Sequence, residues 1–281
     1  MTHSQDVIPG RSQYERFRGL LTADVNAAIE GAAEAGATDF LVNEAHDGMR
    51  NILLEDLDTR AEVIVGQRKP LSMMQGFEGA GLVFFVGYHA CAGTEGVLSH
   101  TFDSPTVVTG VWLNGEPCSE ARMNATLAGL RGIPVGLVTG DDLVCAEAES
   151  LYAGVRTARV KTAVDRYTAR CLSPQAAQER IREAARRATG GGDLTPYAPE
   201  PPYTFAVEFA TASSAASVLF FPGWSAWTTG ASHGRTRTTK QPSRCSSASC
   251  GCPAATRTTV RSDFEPHFLH RGRLRRREIR G

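Results

Sequence analysis

The apolar run Leu82-Val83-Phe84-Phe85-Val86 leads directly into the polar sequence Gly87-Tyr88-His89-Ala90. A second run, Phe40–Asn43, is likewise followed within three residues by a histidine, His46. Runs of this length and composition predict buried strands. In an α/β protein, residues just past the carboxyl ends of parallel strands gather at one edge of the sheet, where ligands bind. We therefore expect both histidines to lie in one site.

Two further residues extend this pattern. His100 lies ten residues after Ala90, and Glu120 opens a helix-like segment after another apolar run. Neutral imidazole and carboxylate together suit a borderline metal such as zinc, so the pattern predicts much of a metal-dependent hydrolase centre. A lone histidine is more often a surface or hydrogen-bonded residue, however, and Glu120 equally suits a first-turn carboxylate favoured by the helix dipole. Tyr88 is interpreted as a packing residue.

Strand-like and helical segments alternate, which indicates an α/β fold with a layered, mainly parallel sheet and flanking helices. Helical periodicity and capping residues predict helices at 14–36, 50–54, 120–130, 141–150 and 174–189. Apolar or alternating runs predict strands at 39–43, 62–65, 82–86, 106–113, 134–138, 159–164 and 204–210. Asn114-Gly115 predicts a tight turn.

We expect three regions along the chain. Residues 1–158 form an N-terminal α/β metal-binding domain, and residues 159–223 form a smaller C-terminal α+β lobe. Such folds usually begin with a central strand, whereas this chain opens in a loop and a helix, so we expect the first strand to be absent. The third region is residues 224–281. Within it, residues 230–259 are crowded with Ser, Thr, Arg, Cys and Gly without periodicity and residues 271–280 are an arginine run, which is typical of GC-rich DNA read out of frame. We expect a disordered basic tail that follows a frameshift near Gly223.

Composition excludes several classes of protein. No apolar run approaches the roughly 18–20 residues that span a bilayer, and no secretory signal opens the chain, so a cytoplasmic protein without a membrane partner is expected. The 7 cysteines are odd in number and irregularly spaced, which is no disulfide framework. Cys245, Cys250 and Cys252 fit no standard zinc spacing.

Charge is unevenly distributed. Residues 1–230 carry 18 Lys and Arg against 27 Asp and Glu, whereas residues 231–281 carry 12 against 3. A natural basic tail of this kind could bind nucleic acid. We rank that function third and expect no nucleic-acid partner, because the arginine run at 271–280 lies in the out-of-frame text.

Many short motifs, in order over residues 4–223, resemble the M55 family of zinc metallopeptidases, the D-aminopeptidases. They include Leu41-Val42-Asn43-Glu44-Ala45-His46, Gly87-Tyr88-His89-Ala90, Gly96-Val97-Leu98-Ser99-His100, Ser119-Glu120, Asn124-Ala125, Gly140-Asp141-Asp142 and Cys171-Leu172-Ser173-Pro174. The resemblance implies a dinuclear zinc site in a ring homo-oligomer that cleaves N-terminal D-amino acids from short peptides. By motif position, His46, His89 and Glu120 would be zinc ligands and His100 the catalytic histidine.

The chain departs from the family at one point. The family begins with a strand that ends in Asp-x-Glu-Gly, whose two carboxylates also bind metal, and this sequence has no such motif. One zinc ion or none is therefore expected here instead of two, and peptidase activity is expected to be impaired. The alternative function is a non-catalytic α/β module that binds a peptide or small molecule at the same strand ends.

Overall fold

The structure is a computed structural model of the 281-residue chain, and it describes residues 1–227 and 258–264. The α-helices of this part are α1 (Tyr14–Glu34), α2 (Glu120–Gly129), α3 (Asp142–Leu151), α4 (Pro174–Thr189) and α5 (Ala212–Val218). The strands are β1 (Phe40–Asn43), β2 (Ala61–Ile64), β3 (Val83–Phe85), β4 (Val108–Leu113), β5 (Glu116–Pro117), β6 (Val135–Gly140), β7 (Arg156–Arg159), β8 (Lys161–Asp165), β9 (Thr168–Cys171), β10 (Tyr203–Phe209), β11 (Trp224–Trp227) and β12 (Thr258–Phe264). None of the described helices is long and apolar enough to cross a membrane.

Two parallel sheets confirm the predicted α/β fold. β1 pairs with β2, and β6 lies between β3 and β7 in a three-stranded sheet. Every residue of β6 is buried, as a central strand covered on both faces requires. Because β1 and β3 each lead into a site histidine, the parallel arrangement brings those histidines toward one cavity.

Helices α1 and α4 pack together against the three-stranded sheet. Ile181 of α4 and Leu137 of β6 are both fully buried in one cluster with Ala28 of α1. The helices approach so closely at Gly31 that a Cβ built there would lie 1.9 Å from the backbone oxygen of Arg182. Helix α4 was predicted as residues 174–189 and is observed with those bounds, since Ser173 caps it and Gly190 follows it.

A five-stranded antiparallel sheet contains β11, β12, β10, β4 and β5 in that order. Val207 of β10 lies opposite Val111 of β4 on one side and Val260 of β12 on the other. β4 and β10 come from opposite sides of the boundary expected at residues 158 and 159, and α1 and α4 also pack across it. The division into two domains stays a prediction.

The expectation of a disordered tail does not hold for β11 and β12. These two segments pair with one another and extend the antiparallel sheet at β10. Val260 and Ser262, two residues apart, are both buried, since alternate side chains of a strand point to one face. The rest of the tail lies outside the described residues, including Cys245, Cys250, Cys252 and the arginine run.

Two local predictions were wrong. Residues 50–53 are not helical: Leu53 is extended, with φ of −78° and ψ of 108°, and only a 3₁₀ turn forms, at Leu54–Asp56. The single strand predicted at 159–164 is two strands, β7 and β8, which belong to different sheets. The turn at Asn114 and Gly115 is confirmed, and both residues have positive φ, 53° and 83°.

Candidate metal centre

Three side chains from three segments converge at the carboxyl end of β3. His89 follows β3, His100 lies on the next loop, and Glu120 begins α2. One potential ligand atom from each lies within 4.8 Å of the others. His89 Nε2 is 3.6 Å from Glu120 Oε2, and His100 Nε2 is 3.9 Å from Glu120 Oε1. The group combines two imidazoles and one carboxylate, which is a donor set that zinc accepts.

The position of Glu120 is determined by its place at the start of α2. Ser119 is the N-cap residue, fully buried, and its Oγ accepts the N–H of Arg122 at 3.0 Å. The same hydroxyl donates to Glu147 Oε1 of α3 at 3.0 Å. Glu120 Oε1 accepts the backbone N–H of Phe102 at 2.8 Å. The Phe102 bond holds Oε1 of Glu120, and Oε2 of the same carboxylate faces His89.

Backbone carbonyls set the tautomers of both histidines. His89 Nδ1 is 3.1 Å from the Ala90 oxygen, and His100 Nδ1 is 2.6 Å from the Leu98 oxygen. A carbonyl oxygen can only accept, so Nδ1 of each ring carries the proton and Nε2 of the neutral ring has a free lone pair. Two such lone pairs face the Glu120 carboxylate. A cation between them would relieve that unfavourable arrangement, so the residues fit a metal ion.

Burial keeps His89 in the metal-binding form. Removal from solvent lowers the pKa of His89, and the neighbouring Glu120 carboxylate opposes that shift. Because the neutral form of the ring is favoured, its Nε2 lone pair is available at neutral pH.

His46 lies on the same cavity wall but outside the group of three. Its Nε2 donates to the backbone oxygen of Val7 at 3.0 Å. The His46 ring is near enough to His89 that its charge, when it is protonated, lowers the pKa of His89. Of the sequence-predicted residues, the structure therefore brings His89, His100 and Glu120 together, and it directs the imidazole of His46 to the N-terminal segment.

A cavity of about 1380 Å³ extends from this centre between β1 and β3. All residues of both strands line it, as do Phe17, Leu21 and Val25 of α1. Since β1 and β3 belong to different sheets, the edges that face the cavity are unpaired within the described part of the chain. The site is thus part of the lining of a large cavity.

The family model of peptidase M55, described as D-aminopeptidase, matches residues 1–244, which is most of the chain. The chain belongs to the M55 family.

A curated sequence and a solved structure resemble this M55 chain. The D-aminopeptidase of Bacillus subtilis (strain 168) is 37% identical over 222 residues, covering 76% of this chain and 78% of that protein. A solved structure, the Zn-dependent D-aminopeptidase DppA from Bacillus subtilis, described as a self-compartmentalizing protease, has a TM-score of 0.78 and 34% identity. That comparison covers 82% of this chain and 84% of the other.

Sequence reasoning missed several contacts around the M55 centre. The Phe102 N–H donor has no motif, because a backbone donor can belong to any residue type. The Ser119–Glu147 pair has none because its two side chains are 28 positions apart along the chain. Asn124 Nδ2 donates to the Tyr88 hydroxyl at 3.0 Å, although the Tyr88 ring also stacks on Phe85. The conjunction of a serine cap and a following glutamate was the one available signal for the orientation of Glu120.

Proposed function

We propose that this protein is a zinc-dependent aminopeptidase that releases N-terminal D-amino acids from short peptides. The convergence of His89, His100 and Glu120 on the lining of a large cavity carries the proposal. Membership of the M55 family supplies the reaction class. The similar sequence and the similar structure from Bacillus subtilis, both named D-aminopeptidase, support the substrate stereochemistry.

We assign His89 and Glu120 to zinc, with His46 as a further ligand, and His100 as the catalytic histidine. Zinc held there would act as a Lewis acid on a peptide carbonyl. His100 has an Nε2 lone pair, since its Nδ1–H is bonded to Leu98, so this atom can accept a proton at the reaction centre. His46 would have to exchange its bond to Val7 for the metal, or bind through Nδ1.

We further propose that this chain holds one zinc ion at most. Two metal ions close together are held by bridging anionic oxygens, and the family site takes carboxylates for that purpose. Among the described residues the convergent group supplies one carboxylate, that of Glu120. Peptidase activity is accordingly expected to be low.

Self-association into a ring homo-oligomer is also part of the proposal. The description of DppA as a self-compartmentalizing protease supports it. A molar mass from light scattering that equals one chain would contradict it.

We place the protein in the cytoplasm, a proposal supported by the free thiols of Cys91, Cys118, Cys145 and Cys171.

Zinc content and hydrolysis of a D-alanyl peptide test the assignments together. The variants H46Q, H89Q and E120Q should lose zinc affinity, whereas H100Q should keep zinc and lose turnover. H3Q, at an exposed histidine, is the control. Bound peptide without zinc or hydrolysis would favour the non-catalytic binding module. Loss of zinc in H100Q but not in H46Q would exchange the roles of those two histidines.

A further inference from the structure

Glu44 is a buried carboxylate at the end of β1, two residues before His46. It is 4% exposed. Its Oε1 accepts the backbone N–H of Asn51 at 2.6 Å and that of Ile52, and its Oε2 accepts Asn51 Nδ2 at 3.1 Å. Lys69 donates to the backbone oxygen of Glu44. A buried carboxylate is costly unless hydrogen bonds compensate it, and here three N–H donors do so.

Asn51 connects this carboxylate to His46. Its Nδ2 also donates to the backbone oxygen of His46 at 2.8 Å, and its Oδ1 accepts the Tyr14 hydroxyl at 3.0 Å. Both amide hydrogens and the amide oxygen of Asn51 are therefore in use. The side chain is 4% exposed, so its orientation is determined by these three partners rather than by water.

The turn between Glu44 and Asn51 has a strained backbone. Asp47 and Met49 are non-glycine residues with φ of 46° and 52°. Left-handed conformations at such residues persist only where surrounding contacts maintain them. The N–H of Met49 donates to the His46 oxygen at 2.8 Å, which gives that oxygen two donors inside the turn. The contacts of Glu44 and Asn51 thus maintain the backbone from which the His46 side chain reaches the cavity lining.

We propose that Glu44 is a positioning residue for the metal centre: acting through Asn51, it holds the His46 backbone so that the imidazole stays in the cavity with His89. This inference rests on the proposed function only for the consequence on zinc. The structural part concerns the orientation of His46 and can be tested on the metal-free protein.

The variant E44Q keeps the size of the side chain but replaces one acceptor oxygen with a donor, which opposes the amide of Asn51. The double variant E44Q/N51D restores a donor–acceptor pair between positions 44 and 51. It does not restore the donor to the His46 oxygen. Stability and positioning are therefore separable, because the double variant should recover the part of the thermal stability that depends on the 44–51 pair without recovering the His46 orientation.

Imidazole nitrogen NMR of the full chain measures that orientation directly. In the wild type, the His46 signals, assigned by their loss in H46Q, should report one tautomer with the proton on Nε2. E44Q and E44Q/N51D should both show tautomer-averaged His46 signals, with those of His89 and His100 unchanged. E55Q, at an exposed glutamate, should match the wild type. If E44Q does not fold, N51S provides the same measurement.

Zinc affinity by chelator competition gives the second measurement. E44Q should weaken binding by about 10- to 100-fold, the range expected when support for a ligand is removed. A wild-type His46 spectrum in folded E44Q or N51S would overturn the positioning role. Unchanged zinc affinity in H46Q would instead overturn the ligand assignment of the proposed function and leave the NMR result to decide the role of Glu44.

Discussion

His89 and His100 stack face to face, with ring centroids 4.0 Å apart and 19° between their planes. In each ring, Nδ1–H donates to a backbone carbonyl of the same loop, and Nε2 faces Glu120. The stack therefore orients two nitrogen lone pairs toward one carboxylate. The side chains of His89, His100 and Glu120 are 21%, 25% and 13% exposed, so a metal ion bound to them would remain reachable from the cavity.

The cap of α2 should affect both stability and zinc binding. S119A removes the hydroxyl that caps the helix and contacts Glu147. We expect a loss of about 1 kcal/mol in the free energy of unfolding and roughly tenfold weaker zinc binding, because Glu120 is the next residue. S173A, at the cap of α4, should lose stability without a change in zinc affinity. Denaturant unfolding and chelator competition check both; equal zinc affinity of S119A and the wild type would contradict the prediction.

The contact between α1 and α4 should make two glycines of α1 respond oppositely to alanine. A Cβ at Gly31 would overlap the Arg182 backbone oxygen, so G31A should destabilise by about 1–3 kcal/mol. At Gly19 the nearest atom would be 3.8 Å away, so G19A should stabilise by about 0.5–1 kcal/mol through helix propensity. Thermal unfolding of the pair measures the difference. A gain of stability in G31A would exclude the close approach of the helices.

Tyr88 should contribute to stability and not to metal binding. Its burial raises the pKa of the hydroxyl, which stays protonated and accepts a bond from Asn124. Y88F leaves that buried amide donor without its oxygen partner, so the free energy of unfolding should fall by about 1–3 kcal/mol. Y167F, at an exposed tyrosine, is the control. Weaker zinc binding in folded Y88F would give the residue a role in the centre.

Asp24 should make stability fall as pH rises. Burial raises the pKa of this carboxyl from 3.8 to about 6, although Lys161 and the Met1 amino group oppose the shift. The folded state then binds the proton more tightly than the unfolded state, so its contribution is complete below pH 3.8 and is lost as pH rises through about 6.

D24N removes this titration, so the variant should gain on the order of 1–2 kcal/mol over the wild type at pH 7 and little at pH 4. Urea unfolding at the two pH values measures the change. E78Q, at an exposed glutamate, should keep the wild-type slope. An identical pH dependence in D24N and the wild type would show that Asp24 titrates normally.

Elements specified by neighbouring residues were predictable. The Ser173 cap, the first-turn proline and the glycine after Thr189 predicted α4 with its observed bounds. The turn at Asn114 and Gly115 followed from two residues that tolerate positive φ. The parallel strands followed from apolar runs that precede polar residues. In each case the decisive contacts lie within a few positions along the chain, where a single sequence records them.

Tertiary contacts decided the remainder. The Glu44 carboxylate accepts the backbone N–H groups of Asn51 and Ile52 from seven and eight positions away, and β12 pairs with β10 from 49 or more positions further along the chain. The sequence by itself determined that His46, His89, His100 and Glu120 are candidates at strand and helix ends. The tertiary structure decided that the last three share one point while His46 bonds to Val7, because distances between side chains on separate loops depend on how the elements pack.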